Sequence, residues 1–228
     1  MILSEIEAEI FRSLKEPSSG GHWTEAEILR RINIGQRKVV RITGCLEAVF
    51  TAPTVVGQAP YAKPTKSLRT RRVYYGDSGK RLYPTTSSDL DIMADTGKIG
   101  SPWSDEQDEP THYFETPRNI YLYPKPDAIE TFGIECLLRP DDLVNPTDTP
   151  FNAEPFMEDY HDALVSFVLW RCLLEDGNEL FKEHKQDFID SLMSIKTDLK
   201  RKEDSLGTFG LIRVRRGVGK NPLPFMDD

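Results

Sequence analysis

The sequence is poor in the residues from which active sites are built, with four histidines and three cysteines in 228 residues. Cys45, Cys136 and Cys172 are an odd number, widely spaced and set in apolar surroundings. That excludes a fully paired disulfide framework and predicts buried, reduced thiols in an intracellular protein. None of His22, His112, His161 and His184 pairs with another histidine or a cysteine at zinc-ligand spacing, so neither a metal nor a cofactor is expected. A Gly-x-Ser-x-Gly elbow and a glycine-rich phosphate loop ending in Lys-Ser or Lys-Thr are also missing. Gly217-Val218-Gly219-Lys220 is a fragment of such a loop, followed by Asn221 and Pro222 where a helix is required.

Long apolar runs are missing too. The longest, residues 163–174, is interrupted by Ser166 and Arg171 and falls short of the roughly 18 to 20 residues that span a bilayer; no membrane partner is expected. The amino-terminal residues are acidic and amphipathic, unlike a secretory signal. Positive charge is in deficit, with a formal net charge of −8, and this argues against general coating of a polyanion. The residues point to a structural subunit that docks onto other protein copies, and away from an enzyme.

What is present is a helical frame around a β insert. Leu3, Ile6, Ile10 and Leu14 recur at helical spacing and predict a helix over residues 2–15, broken by Pro17 and the serines and glycines after it. Thr24 with Glu27 three residues on predicts a capping box, with Trp23 stapled onto Ile28. The helix behind it buries Ile28, Leu29, Ile32, Val39 and Val40 and stops at Gly44, while Arg30, Arg31, Arg37, Lys38 and Arg41 mostly fall outside that face.

From residue 49 to about 140 the period shortens to two, and strands are expected at 48–53, 70–75, 80–84, 111–116, 119–123 and 130–138. A hairpin loop is expected over 74–80, a tight turn over 116–119, and a short helix capped by Ser88. Residues 100–110 carry Asp105, Glu106, Asp108 and Glu109 but lack the ligand register and central glycine of a calcium loop, so an exposed acidic loop is predicted. A long helix opening at Glu154 or Pro155 is expected to run to Gly177, with His161 on its first turn between Glu158 and Asp162. A second helix capped by Asn178 completes an antiparallel hairpin, with Phe188 and Leu192 on its apolar face. Beyond residue 205 helix signals fade. Residues 209–217 alternate like a strand, with Arg213 and Arg215 on one face, and a tail interrupted by Pro222 and Pro224 follows.

Four segments, in this order, carry a resemblance. They are the capped helix from Trp23 to Arg37 with Gly44-Cys45-Leu46-Glu47 behind it, Gly57-Gln58-Ala59-Pro60-Tyr61-Ala62-Lys63-Pro64 with the strand from Leu68, Asn119-Ile120-Tyr121-Leu122-Tyr123-Pro124-Lys125-Pro126-Asp127, and Phe156-Met157-Glu158-Asp159-Tyr160-His161-Asp162-Ala163-Leu164. Spanning about residues 20–200, they resemble the head-to-tail adaptor (connector, or neck) proteins of tailed phages; Lys63 stands where that family more often has an apolar residue.

The resemblance implies a virion neck protein, assembled in the host cytoplasm, that forms a ring of twelve copies under the portal, carries tail or neck proteins and surrounds passing DNA. The fold expected is α+β, a helical bundle with an inserted, mainly antiparallel β region and an extended carboxy-terminal arm. The segments are 1–48 (amino-terminal helices), 49–150 (β-rich insert), 151–204 (helical hairpin) and 205–228 (arm). Phe209, Leu211, Arg213, Arg215, Arg216, Lys220, Leu223, Phe225 and Met226 are expected to form a portal-docking arm. Within it Arg213, Arg215, Arg216 and Lys220 would meet either the DNA channel or an acidic surface. Ile28, Ile32, Val39, Tyr160, Leu164, Phe188 and Leu192 are expected at contacts between subunits. Two rival readings remain. One is a DNA-binding accessory module using Arg30, Arg37, Arg41 and the terminal arginines; the other is a hydrolase built on His112 and the acidic loop.

Overall fold

The computed structural model describes residues 1–17, 21–97 and 105–207; the arm, from Phe209 onward, lies outside the described residues. Helix α1 (Leu3–Leu14) buries Leu3, Ile6, Ile10 and Phe11. Its first free N–H groups, those of Leu3 and Ser4, donate to the carbonyls of Asp148 and Pro146 at 2.9 and 3.0 Å, so a distant loop supplies the acceptors that every helix start lacks. Helix α2 (Glu25–Thr43) begins at the expected box: the Glu27 N–H donates to the Thr24 hydroxyl at 3.3 Å and the Thr24 N–H to the Glu27 carboxylate at 3.0 Å. The Thr24 N–H, and with it the Thr24 hydroxyl at 2.8 Å, donate to the Glu27 carboxylate and hold that carboxyl below its usual range. Gly44, at φ +70°, ends the helix in the left-handed conformation that glycine adopts without strain.

The chain then builds two four-stranded sheets. In one, β1 (Glu47–Pro53), β8 (Thr131–Leu138), β3 (Ser67–Tyr75) and β4 (Lys80–Arg81) lie side by side. In the other the order is β2 (Pro60–Ala62), β7 (Asn119–Tyr123), β6 (His112–Glu115) and β5 (Tyr83–Pro84). All pairings are antiparallel except the parallel contact of β5 with β6. Phe132, Ile134 and Cys136 alternate along β8 and meet Val73 and Tyr75 of β3 and Tyr61, Tyr113, Ile120 and Leu122 of the second sheet in one apolar cluster, so the sheets face each other across a shared core. Tyr61 and Phe132 pack across it with ring centroids 4.7 Å apart.

Helices α4 (Asp162–Glu175) and α5 (Phe181–Gly207) form the expected antiparallel hairpin, and α1 and α2 pack onto α4. Their core joins Ile6, Ile10, Ile28, Ile32, Val39, Leu164, Phe167, Val168, Phe188, Leu192 and Ile195, with Leu138 of β8 touching both this cluster and that of the sheets. The fold is therefore α+β, a helical bundle carrying an antiparallel-rich β region.

Several local expectations are corrected. The single strand expected at 80–84 is divided between the two sheets, because Leu82 turns into the core at 1% exposure and sends the residues on either side apart. Helix α3 (Ser87–Gly97) starts earlier than expected and is capped by Thr86, whose hydroxyl accepts from the Asp89 N–H at 3.1 Å, in place of Ser88. The helix expected from residue 154 begins only at Asp162. Before it stand two 3₁₀ turns, Pro150–Ala153 and Pro155–Tyr160, with Phe151, Asn152 and Ala153 all at φ near +55°. Proline and three consecutive left-handed residues break the helical ladder there. At the other end α5 is longer than expected and runs to Gly207.

Gly35 lets α2 lie close against α4, where a Cβ would stand 2.8 Å from Cδ1 of Phe167. Phe167 is buried and locked against Trp170 and Phe188, so it has no room to retreat. Glycine in a helix interior normally costs about 1 kcal/mol relative to alanine; here the close approach reverses the sign. Gly35→Ala is expected to lower unfolding free energy by about 1–3 kcal/mol, read as a reduced urea midpoint; an unchanged or raised midpoint would show that the helices can separate freely.

Candidate assembly surfaces

An assembly subunit needs a rigid frame and surfaces left over after the frame is built. The frame is tied by two amide side chains on α2. The Asn33 Nδ2 donates to the Leu143 carbonyl at 3.0 Å and its Oδ1 accepts from the Leu143 N–H at 2.8 Å. Gln36 is wholly buried; its Nε2 donates to Asn33 Oδ1 at 2.9 Å and to the Asp141 carbonyl at 2.6 Å, and its Oε1 accepts from the Phe151 N–H at 3.4 Å. The connection leaving β8 is thereby fixed to the helical bundle, and Leu143 and Phe151 enter the helical core.

Most of the basic residues of α2 are spent inside the chain. Arg31 is 6% exposed, lies 4.6 Å from the centre of the Trp23 ring and donates to Glu175 at 2.6 Å, holding that carboxyl below its usual range. Arg37 grips Asp142 through Nε at 3.1 Å and a terminal nitrogen at 2.5 Å. Lys38 lies 5.1 Å from the Trp170 ring centre, and burial, followed by repulsion from Arg171 and Lys185, pushes its ammonium pKa down. Arg30 and Arg41 remain exposed; Arg41 lines a groove of about 370 Å³ with Arg69, Arg71 and Leu137 where the bundle meets the first sheet.

The residues expected at contacts between subunits sit elsewhere than expected. Ile28, Ile32, Val39, Leu164, Phe188 and Leu192 are buried in the chain's own helical core at 0–2% exposure. Their apolar period is satisfied within one molecule, so a neighbouring copy has to meet other faces. Tyr160 is half-buried and donates its hydroxyl to Asp198; burial, and then that bond, pushes its pKa up to about 12. The nine arm residues from Phe209 to Met226 fall outside the described residues.

Residues 105–110 of the acidic loop act as a fastener, its earlier residues 100–104 lying outside the described residues. Glu106 accepts from the Tyr123 hydroxyl at 2.5 Å and Glu109 pairs with Lys80 at 2.8 Å, while Gln107 bridges to Lys125. Among the described residues no group of three or more histidine, cysteine or carboxylate side chains is placed to hold a metal. His112 bonds its neighbour Thr111 at 2.9 Å. Lys63, the departure noted above, is paired with Glu115. Burial raises the Cys45 thiol to about 11 and the Cys172 thiol to about 12, and moves Cys136 upward too.

Sequence reasoning missed the surface that the fold leaves most open. β1 leaves Val49 at 57% and Phe50 at 39% exposure on its two opposite faces, Phe50 on the side of Ile134 and Val49 on the side of Glu135, and Val55, Val56 and Ile129 lie exposed just past its end. Its only signal in the sequence is the uncharged run Ala48-Val49-Phe50-Thr51-Ala52 between Glu47 and Pro53.

A helical bundle with a two-sheet β region, its polar groups engaged in holding the frame, defines a structural subunit whose exposed faces are what remains to act. The family model described as "SU10 adaptor protein" matches residues 1–213; the chain belongs to that family of phage head-to-tail adaptors, and so is a component of the virion neck. No curated protein matches it.

Two measurements check the frame. Asn33→Leu leaves the Leu143 N–H and C=O buried without partners and is expected to cost about 1–3 kcal/mol for the unmade bonds, seen as a lower denaturation midpoint with the helical circular dichroism intact. The second concerns His161, which is buried at 2% exposure with Nδ1 2.8 Å from the Met1 amino group. Burial, then the charge of that amine, pushes the His161 pKa below its ordinary 6.5. The unfolded chain therefore takes up this proton first, so the contribution is intact above pH 6.5 and is lost as pH falls toward the folded value. Between pH 7.5 and 5.5 the urea midpoint of the native protein should fall by more than that of His161→Asn; equal losses would remove the imidazole from the account.

Proposed function

We propose that this adaptor works as a ring of twelve copies docked beneath the portal, joining the capsid to tail or further neck proteins and surrounding the exiting DNA. The membership of residues 1–213 in the adaptor family carries the reading. Ring closure requires a heterologous contact, one face of a copy against a different face of the next. The faces available are those that the bundle core does not consume.

In this proposal Phe209, Leu211, Arg213, Arg215, Arg216, Lys220, Leu223, Phe225 and Met226 form the arm that reaches the portal. A tail with Leu223, Phe225 and Met226 gains most by seating them in a protein groove. Its arginines carry charge suited to an acidic portal surface more than to sequence recognition of DNA. Assembly takes place in the host cytoplasm, and the subunit acts through contact and not through catalysis.

Electron microscopy of the purified protein with and without portal rings tests the proposal. A second ring stacked on the portal is expected; a protein that never joins the portal would end it. Deleting residues 209–228 is expected to abolish docking while leaving the circular dichroism of the bundle unchanged, and retained docking would transfer the anchor to another surface.

A further inference from the structure

The two sheets end on four strands, of which β4 and β5 are two residues each and β2 is three, and the part of β3 that β4 leaves uncovered carries the charges of Arg69, Arg71 and Arg72. The fourth, β1, is seven residues long. Soluble proteins close long edges with charge, proline, twist or cover, because a row of unpaired N–H and C=O groups templates another strand. In β1 only the ends, Glu47 and Pro53, are of those kinds. Along one side β1 pairs continuously with β8, from Glu47 opposite Leu137 to Pro53 opposite Thr131. Along the other it makes no backbone hydrogen bond with any described residue.

The apolar surface continues past the strand. Thr54 turns inward, its hydroxyl donating to the carbonyls of Ala128 and Glu130 at 3.1 Å, which brings exposed Val55 and Val56 beside exposed Ile129. Val49, Phe50, Val55, Val56 and Ile129 thus run from the edge to its tip. An open edge with an apolar flank is the surface that strand addition uses, the backbone giving the bonds and alternate side chains the selectivity.

The chain carries a segment of matching kind. Helix α5 ends at Gly207, and residues 209–216 (Phe-Gly-Leu-Ile-Arg-Val-Arg-Arg) alternate without proline or acidic residues. We propose that the outer edge of β1 takes residues 209–216 of a neighbouring copy as an added antiparallel strand. This orientation sets Phe209 and Leu211 beside the apolar tip at Val55 and Val56, and Arg215 and Arg216 beside Glu47; the parallel one would set the arginines against the valines. Pairing of β1 with β1 of another copy would be two-fold and stop at a dimer, whereas arm on edge joins two different surfaces and propagates around a ring. Residues 209–216 span about 26 Å when extended, at about 3.3 Å each, enough to cover the whole seven-residue edge of β1. Residues 217–228, with Leu223, Phe225 and Met226, then continue toward the portal. The inference rests on the ring reading above, and it splits the arm into an inter-subunit strand and a docking tip.

Disulfide trapping in the full-length protein tests it. Ala48→Cys, Val49→Cys, Phe50→Cys, Thr51→Cys and Ala52→Cys are each combined with Ile212→Cys, assembled on portal rings and oxidised, the three native thiols being buried. Antiparallel pairing that sets Glu47 opposite Arg216 places Thr51 opposite Ile212, so Thr51→Cys with Ile212→Cys is expected to give a ladder of covalent multimers on a denaturing gel. Mixed single variants, Thr51→Cys with Ile212→Cys on separate chains, should give dimers only. Rings visible by electron microscopy with no cross-link from any pair would overturn the strand while leaving the ring. Cross-links confined to monomers would assign the edge to the chain's own arm and overturn the neighbour's. Failure to form rings at all would overturn the ring reading and the inference with it.

Discussion

The stretch between β8 and α4 carries backbone groups that no regular ladder satisfies, and the molecule closes because Asn33 and Gln36 bind them from the buried side of α2. A buried polar network of this kind is costly when half made and specific when complete. Here it fixes where the returning chain enters the bundle, and Leu143 and Phe151 follow into the core. The same connection gives α1 its first acceptors, through the carbonyls of Pro146 and Asp148. One helix, one loop and the start of another are thus set by two amides.

That arrangement makes the helical bundle and the β region a single mechanical path. Leu138 lies in contact with both cores, and Gly35 lets α2 and α4 approach until Phe167 fills the space. Arg31, Arg37 and Lys38, which on sequence alone form a basic helix, are drawn inward to Trp23, Glu175, Asp142 and Trp170. An adaptor has to transmit load between neighbours, and a subunit that has used its charges on internal ties has a stiff body and few adhesive faces.

Much of the fold was legible from local chemistry. The capping box at Thr24, the stop at Gly44, the turn before Asn119 and the hairpin around Gly177 are each written in adjacent residues, and adjacent residues are what a sequence displays. The segment from 139 to 161 was not, since three left-handed residues in a row are paid for by tertiary bonds from α2, and nothing local announces them. Leu82 was missed for a related reason: a strand that changes sheets looks continuous. The interface residues were misplaced because an apolar helical face fits a core and a neighbour equally well, and only the packed structure shows that Ile28, Ile32 and Leu164 are already taken. The arm's alternation was visible, but an acceptor for it required seeing which edge was long.

The three cysteines bear on how the subunit meets oxidants. Oxidants act on thiolates, and only on those they can reach. Cys45, Cys136 and Cys172 are buried, and their thiols are shifted toward the protonated, unreactive form. A virion component built this way keeps its sulfur chemistry shut without spending disulfides, and stays the same molecule whatever the redox state of its surroundings.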